Sequence, residues 1–226
     1  MNKLSSENLN LLPNPSELQK ICKSISALES IICPEWEYRY YSYQKDWSET
    51  EEFCEMRNGQ GDQMLITFSE NGTCINGFAH ESEMNGWENN SQQEISNGII
   101  DELPKEFNEF IFGEPVKSIG TTFCIWQTEK DKNWKIGKVD LPKDEYKDGS
   151  SDLLHLLDGK PLAYKNWAEE YYEENFEENE LKLELVEKIY NGTIITKELV
   201  LEINPELDDF EQLKSDLDEI GYEHKI

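Results

Sequence analysis

Asp62, His80 and Glu81 stand beside two glycine-containing stretches, Gly59-Gln60-Gly61 and Gly77-Phe78-Ala79, that allow close backbone approach. If neighbouring strand ends bring the three together, an imidazole flanked by carboxylates could do general acid–base work. The chain holds three histidines. His155 is set among leucines and His224 lies in the last residues, so His80 is the candidate base. The glycines themselves read as a turn, because neither the third glycine of a dinucleotide fingerprint nor the Lys-Ser/Thr of a phosphate loop follows. In that setting a structural, hydrogen-bonded His80 is the simpler role.

Cys54, Cys74 and Cys124 each fall in a strand-like pattern and behave there as small hydrophobes rather than nucleophiles. All five cysteines are widely spaced, with no CxxC pair, as reduced thiols of a cytoplasmic protein would be. Four-ligand zinc spacing and the twelve-residue calcium loop are both missing from the sequence, which calls for no metal and no cofactor.

A second constellation is purely ionic. Glu169, Glu170, Glu173, Glu174, Glu177 and Glu178 would form two adjacent i, i+4 ladders on one helix. Four like-charge pairs destabilise an isolated helix by roughly 1–2 kcal/mol before screening. A neighbouring stripe of Tyr164, Trp167, Ala168, Tyr171 and Tyr172 can offset that by burial. The ridge serves either as a solvated face or as a docking site for Lys and Arg, with Trp87, Trp167 or Tyr171 as aromatic anchors.

The whole chain extends this bias. Its 226 residues carry 48 acidic against 21 basic side chains, a formal charge of -27. Nucleic acid and anionic membrane surfaces would repel such a protein and a basic partner would be drawn to it. From Leu141 onward there are 24 acidic and nine basic residues, so the charge is densest in the last third. Twenty-five aromatic residues argue for a folded core despite an apolar fraction of 37%. No apolar run approaches a membrane span, and no basic stretch leads into an apolar one near Met1.

These residues need elements to position them. Asn14, Pro15 and Glu17 mark the start of a helix that continues to Ile32, with Leu18, Ile21, Cys22, Ile25 and Leu28 at helical spacing. Trp36 to Ala79 reads as a four-strand antiparallel meander, turning at Asn58-Gly59 and Asn71-Gly72. The polar stretch Met84 to Gly98 reads as a loop, and Leu103 to Phe112 as a short helix with Phe107, Phe110 and Ile111 on one side. Thr121–Thr128 and Trp134–Val139 predict a further hairpin. Helices follow over Ser151–Leu157, Pro161–Phe176, Leu181–Tyr190, Thr196–Ile203 and Asp208–Ile220, although Leu199–Ile203 also suits a strand. The expected fold is therefore α+β: a mainly antiparallel sheet, a four-strand meander plus a hairpin, with an N-terminal helix and a helical C-terminal region. Residues 1–178 are expected to form the core domain and 179–226 a small helical appendage.

The segments Met56–Asp62, Ile75–Ser82, Thr122–Trp126, Gly159–Tyr172 and Ile220-Gly221-Tyr222 resemble a group of uncharacterised bacterial proteins. Leu103-Pro104-Lys105-Glu106-Phe107 followed by Phe110 is similar to the Smi1/Knr4-like superfamily, whose bacterial members include immunity proteins. Gly113-Glu114-Pro115 departs from the Gly-rich turn that usually follows in that superfamily, and no functional residue is carried across. The first resemblance implies a bacterial, cytoplasmic origin and no particular activity.

The leading expectation is a non-enzymatic acidic protein-binding module, of the kind that inhibits a basic toxin. Nuclease-type toxins fit, because they must be basic to hold phosphate backbones. The alternatives are a small hydrolase or transferase using Asp62, His80 and Glu81, and a Smi1/Knr4-like regulatory or scaffold protein.

Overall fold

Asn14 starts the first helix, α1 (Pro15–Ile32), by accepting a hydrogen bond from the Glu17 amide at 3.1 Å. Pro15 sits at the first helical position, where its missing N–H is no loss. The computed structural model describes residues 3–86, 94–96, 98–143, 147–176 and 179–226. From Ser24 to Ile32 every residue of α1 is buried, so the helix is central rather than peripheral. Its last carbonyls have no basic side chain to satisfy them. The Asn204 and Asn175 amides do so instead, donating to Ile31 O at 2.8 Å and Ile32 O at 2.7 Å.

The expected strand at Trp36 to Tyr40 is instead a single 3-10 turn at Trp36–Tyr38. The cause is Arg39, which is 4% exposed and aims its guanidinium inward at Cys33 O, Pro34 O and the Asp216 carboxylate. An extended chain would carry it away from the first two. The strands then follow as β1 (Tyr41–Gln44), β2 (Glu51–Arg57), β3 (Gln63–Ser69) and β4 (Gly72–Phe78), the meander that the turn signals predict.

Beyond β4, a 3-10 turn at Lys105–Phe107 leads into α2 (Asn108–Phe112), and α3 (Val116–Ile119) follows. The hairpin strands β5 (Phe123–Thr128) and β6 (Lys135–Ile136) complete, among the described residues, a six-stranded antiparallel sheet in sequential order. One row of the register runs Tyr43, Cys54, Ile66, Ile75, Ile125, Ile136 across all its strands. That face packs on α1. The opposite face, with Phe53, Leu65, Cys74, Cys124 and Trp126, is covered by Phe107, Ile111 and Val116. Covering both faces removes the simple in–out alternation, and β4 is buried along its whole length. Gly77 in β4 has no room for a side chain: a Cβ there would lie 2.0 Å from the Phe123 ring.

The remaining elements are α4 (Ser150–Leu153), α5 (Pro161–Tyr171), α6 (Glu173–Phe176), α7 (Leu183–Tyr190), β7 (Ile195–Thr196), α8 (Lys197–Ile203), α9 (Phe210–Ile220) and β8 (His224–Lys225). Two expected helices are shorter than their patterns. Ser151–Leu157 keeps only the α4 turn, and Pro161–Phe176 breaks at Tyr172, whose ψ of 42° leaves the helix. Leu199–Ile203 is helical, capped by the Thr196 hydroxyl. The parallel pair β7–β8 has no counterpart in the sequence pattern.

One buried cluster takes in Leu18 and Ile25 of α1, Ile66 and Ile75 of the sheet, and Val186, Val200, Leu213 and Leu217 of α7 to α9. The helical C-terminal region therefore shares its core with α1 and the meander. Among the described residues no helix is long and apolar enough to cross a membrane.

Candidate interaction surface

The turn between β2 and β3 is built around Asn58. Its Oδ1 accepts from the Gln60 and Asp62 amides at 2.8 and 3.0 Å, and its Nδ2 donates to Asp62 Oδ2 at 2.9 Å. Gly59 and Gly61 take φ values of +71° and +113°, which L side chains rarely adopt. The Asp62 carboxylate is held in place as a result. Its Oδ1 accepts from the His80 amide at 2.8 Å and meets His80 Nδ1 at 2.7 Å, while His80 Nε2 lies 3.9 Å from Glu81. The three candidate acid–base residues thus converge, at the start of β3 and just past the end of β4. A tautomer with Nδ1 donating to Asp62 would leave Nε2 as an acceptor on a side chain that is 43% exposed. This geometry orients a base. Among the described residues the partners of the ring are Asp62 and Glu81, both carboxylates.

Facing this turn is the end of α5. Tyr171 and Tyr172 line one side of a groove of about 510 Å³, and Tyr38, Glu37, Arg57 and Asp62 line much of the rest. The rings there form a continuous cluster. Trp167 stacks on Tyr171 with centroids 5.0 Å apart, Tyr40 packs 4.6 Å from Trp167, and Tyr172 meets Tyr171 edge-on at 4.9 Å. Within the expected stripe Tyr164 and Ala168 are fully buried, and Tyr171 is 41% exposed.

The cluster is pinned from below by Glu29 of α1, which is 0% exposed. Its Oε2 accepts from Tyr172 Oη at 2.5 Å and the Tyr40 amide at 2.9 Å, and its Oε1 from Tyr164 Oη at 2.9 Å. Burial raises the Glu29 pKa above 4.5, and these hydrogen bonds pull the other way. Above, Glu37 and Asp62 line the groove together with Arg39 and Arg57. The charge of Glu37 and then its hydrogen bond hold the Tyr38 phenol above its ordinary value, with a further push from Glu35.

The glutamates of the expected ridge divide into separate groups, because the helix breaks at Tyr172. Glu169 is drawn into structure: its carboxylate accepts from Lys165 at 2.8 Å and from the Leu181 amide at 2.9 Å. Glu170, Glu173 and Glu174 are exposed, the first on α5 and the other two on α6. Trp87, Glu177 and Glu178 lie outside the described residues.

Sequence reasoning missed Trp36, Tyr38, Arg57 and Glu29. Trp36 and Tyr38 are 48% and 64% exposed, and Arg57 lies 3.7 Å over the Trp36 ring while donating to Trp36 O at 2.7 Å. The dense Trp36-Glu37-Tyr38-Arg39-Tyr40 string carries a signal for Trp36 and Tyr38, and the local pattern carries none for Arg57 or Glu29. A second acidic concavity of about 530 Å³, with Asp46, Glu49, Glu51, Glu52 and Glu70, opens beside the β1–β2 turn. Another cleft, of about 820 Å³, is lined by Lys3, Tyr40, Asp152, His155 and Lys160 among others. Among the described residues no group of three or more His, Cys, Asp or Glu side chains is placed to hold a metal ion.

Comparison with protein-family models, with curated proteins and with solved structures finds no match.

Proposed function

We propose that this chain is a non-enzymatic acidic module that binds a basic protein, in the manner of an immunity-type inhibitor acting on a toxin of the nuclease kind. The observation that carries the reading is the groove between the Asn58–Asp62 turn and α5. It exposes Tyr38 and Tyr171 at 64% and 41% beside Glu37 and Asp62, on a chain whose formal charge is -27. Exposed rings anchor interfaces, and carboxylates steer a basic partner and set its orientation. Glu170, Glu173 and Glu174, exposed on α5 and α6, extend the negative surface from Tyr171. Nucleic acid and membrane lipid do not suit that charge. The test is co-expression with the toxin of a neighbouring gene. Protection that is lost when Tyr38 and Tyr171 are both changed to Ala supports the reading, and no protection by the native chain contradicts it.

The Asp62–His80 pair at 2.7 Å favours a second reading, a small hydrolase or transferase with His80 as base and Glu81 close to Nε2. An activity abolished by His80→Ala, with the fold preserved, would establish it.

A further inference from the structure

We infer that the groove between Tyr38 and Tyr171 receives one arginine side chain of the partner, its guanidinium stacked on a tyrosine ring and its charge facing Glu37. This rests on the protein-binding reading above and narrows it to one side-chain chemistry. Three observations lead to it.

First, the groove walls combine exposed tyrosines with carboxylates: Tyr38 and Tyr171 with Glu37 and Asp62. A cation over an aromatic ring is attracted by the ring's quadrupole, and a nearby carboxylate adds to that attraction. Glu37 and Tyr38 are adjacent in the chain and both line the groove, so a cation on that ring would lie within reach of a carboxylate.

Second, the basic residues of the groove are already engaged. Arg39 is buried against Asp216, Cys33 O and Pro34 O, and Arg57 stacks on Trp36 and donates to Trp36 O. They are not placed to quench Glu37. Lys residues are not among the groove's lining.

Third, the Arg57–Trp36 contact at 3.7 Å shows the chemistry at the same rim: a guanidinium over a ring and hydrogen-bonded to a carbonyl. A planar guanidinium can stack and donate at once, whereas an ammonium is a compact and strongly hydrated point charge. The groove therefore discriminates for arginine over lysine. General attraction to a chain of charge -27 would not make that distinction.

The experiment uses the full chain and two fluorescein-labelled, end-blocked hexapeptides, alternating Gly with Arg or Gly with Lys, titrated by anisotropy at 0.15 M salt. The arginine peptide is expected to bind at least fivefold tighter than the lysine peptide. Tyr38→Ala with Tyr171→Ala should remove that preference, and Glu37→Gln, which leaves both rings in place, should reduce it. Neutralising Glu170, Glu173 and Glu174 with Gln should weaken both peptides alike and leave the ratio unchanged. Near-ultraviolet circular dichroism reports whether each variant is folded. Equal affinity for the two peptides, or a preference that survives in the folded tyrosine variant, overturns the arginine groove while leaving a basic-protein binder in place. Binding of neither peptide overturns both.

Discussion

Tyr172 donates its phenolic hydrogen to Glu29 Oε2 at 2.5 Å inside a site closed to solvent. This contact joins the end of α5 to the middle of the core at the residue where the helix ends. The same carboxyl group holds Tyr164 and the Tyr40 amide, so the base of the groove depends on one buried side chain.

Glu29→Ala is therefore expected to lower stability by about 3 kcal/mol, since it leaves buried hydroxyl and amide donors without an acceptor. Glu29→Gln keeps an acceptor in place and should be far milder. The pH dependence separates the two forms. Because burial raises this carboxyl above 4.5, the folded chain binds its proton more tightly than the unfolded chain. Stability from this group is then greatest below the unfolded value, falls as pH rises towards the raised folded value, and is flat above it. Urea midpoints measured from pH 4 upward should show that fall in the native chain and a smaller one in Glu29→Gln. Parallel profiles for the two would contradict the assignment.

Arg39 and Asp216 form an ion pair at 2.5 Å with side chains 4% and 8% exposed. Removing one partner of a buried pair typically costs 3–5 kcal/mol. Asp216→Ala is expected at the lower end, about 3 kcal/mol, because Arg39 keeps the Cys33 and Pro34 carbonyls. Thermal or urea unfolding of the single variants and of Arg39→Met with Asp216→Leu checks this. The double variant should recover part of the loss.

Residues 1–178 alone should fail to unfold cooperatively. They would leave Leu18, Ile25 and Ile66 without Val186, Leu213 and Leu217, and Arg39 without its carboxylate. A sharp urea transition for the fragment would show instead that residues 179–226 are dispensable.

The thiols should be inert in the native state. All five cysteines are buried and reduced, burial pushes Cys33 up to about 11, and it raises Cys54 and Cys74 as well. A colorimetric thiol reagent at pH 8 should titrate none of them quickly and all five in denaturant. A fast-reacting thiol in the native protein would count against the packing described.

Much of the architecture was legible because it is local. Asn14 and Thr196 cap their helices as their spacing predicts, and Asn58-Gly59 and Asn71-Gly72 close the meander hairpins. Asp62, His80 and Glu81 were also readable as one cluster, since the glycines around them mark strand ends. What could not be read depends on contacts between distant residues. Arg39, in the ring-rich string that forms a turn rather than a strand, is held inward by Asp216, 177 positions further on, as well as by the nearby Cys33 and Pro34 carbonyls. Tyr172 leaves its helix for Glu29, 143 positions earlier, and that break splits the glutamate ridge. The groove itself joins the β2–β3 turn to α5, a pairing that neither periodicity nor charge count encodes.

The most direct measurement is a quantitative affinity capture from the source cells, comparing the tagged native chain with its Tyr38→Ala, Tyr171→Ala variant by mass spectrometry. Specific enrichment of a basic protein by the native chain, reduced at least tenfold in the folded variant, is the predicted result. No enriched basic protein, or equal enrichment by both chains, would contradict an acidic, aromatic groove as the place where this protein acts.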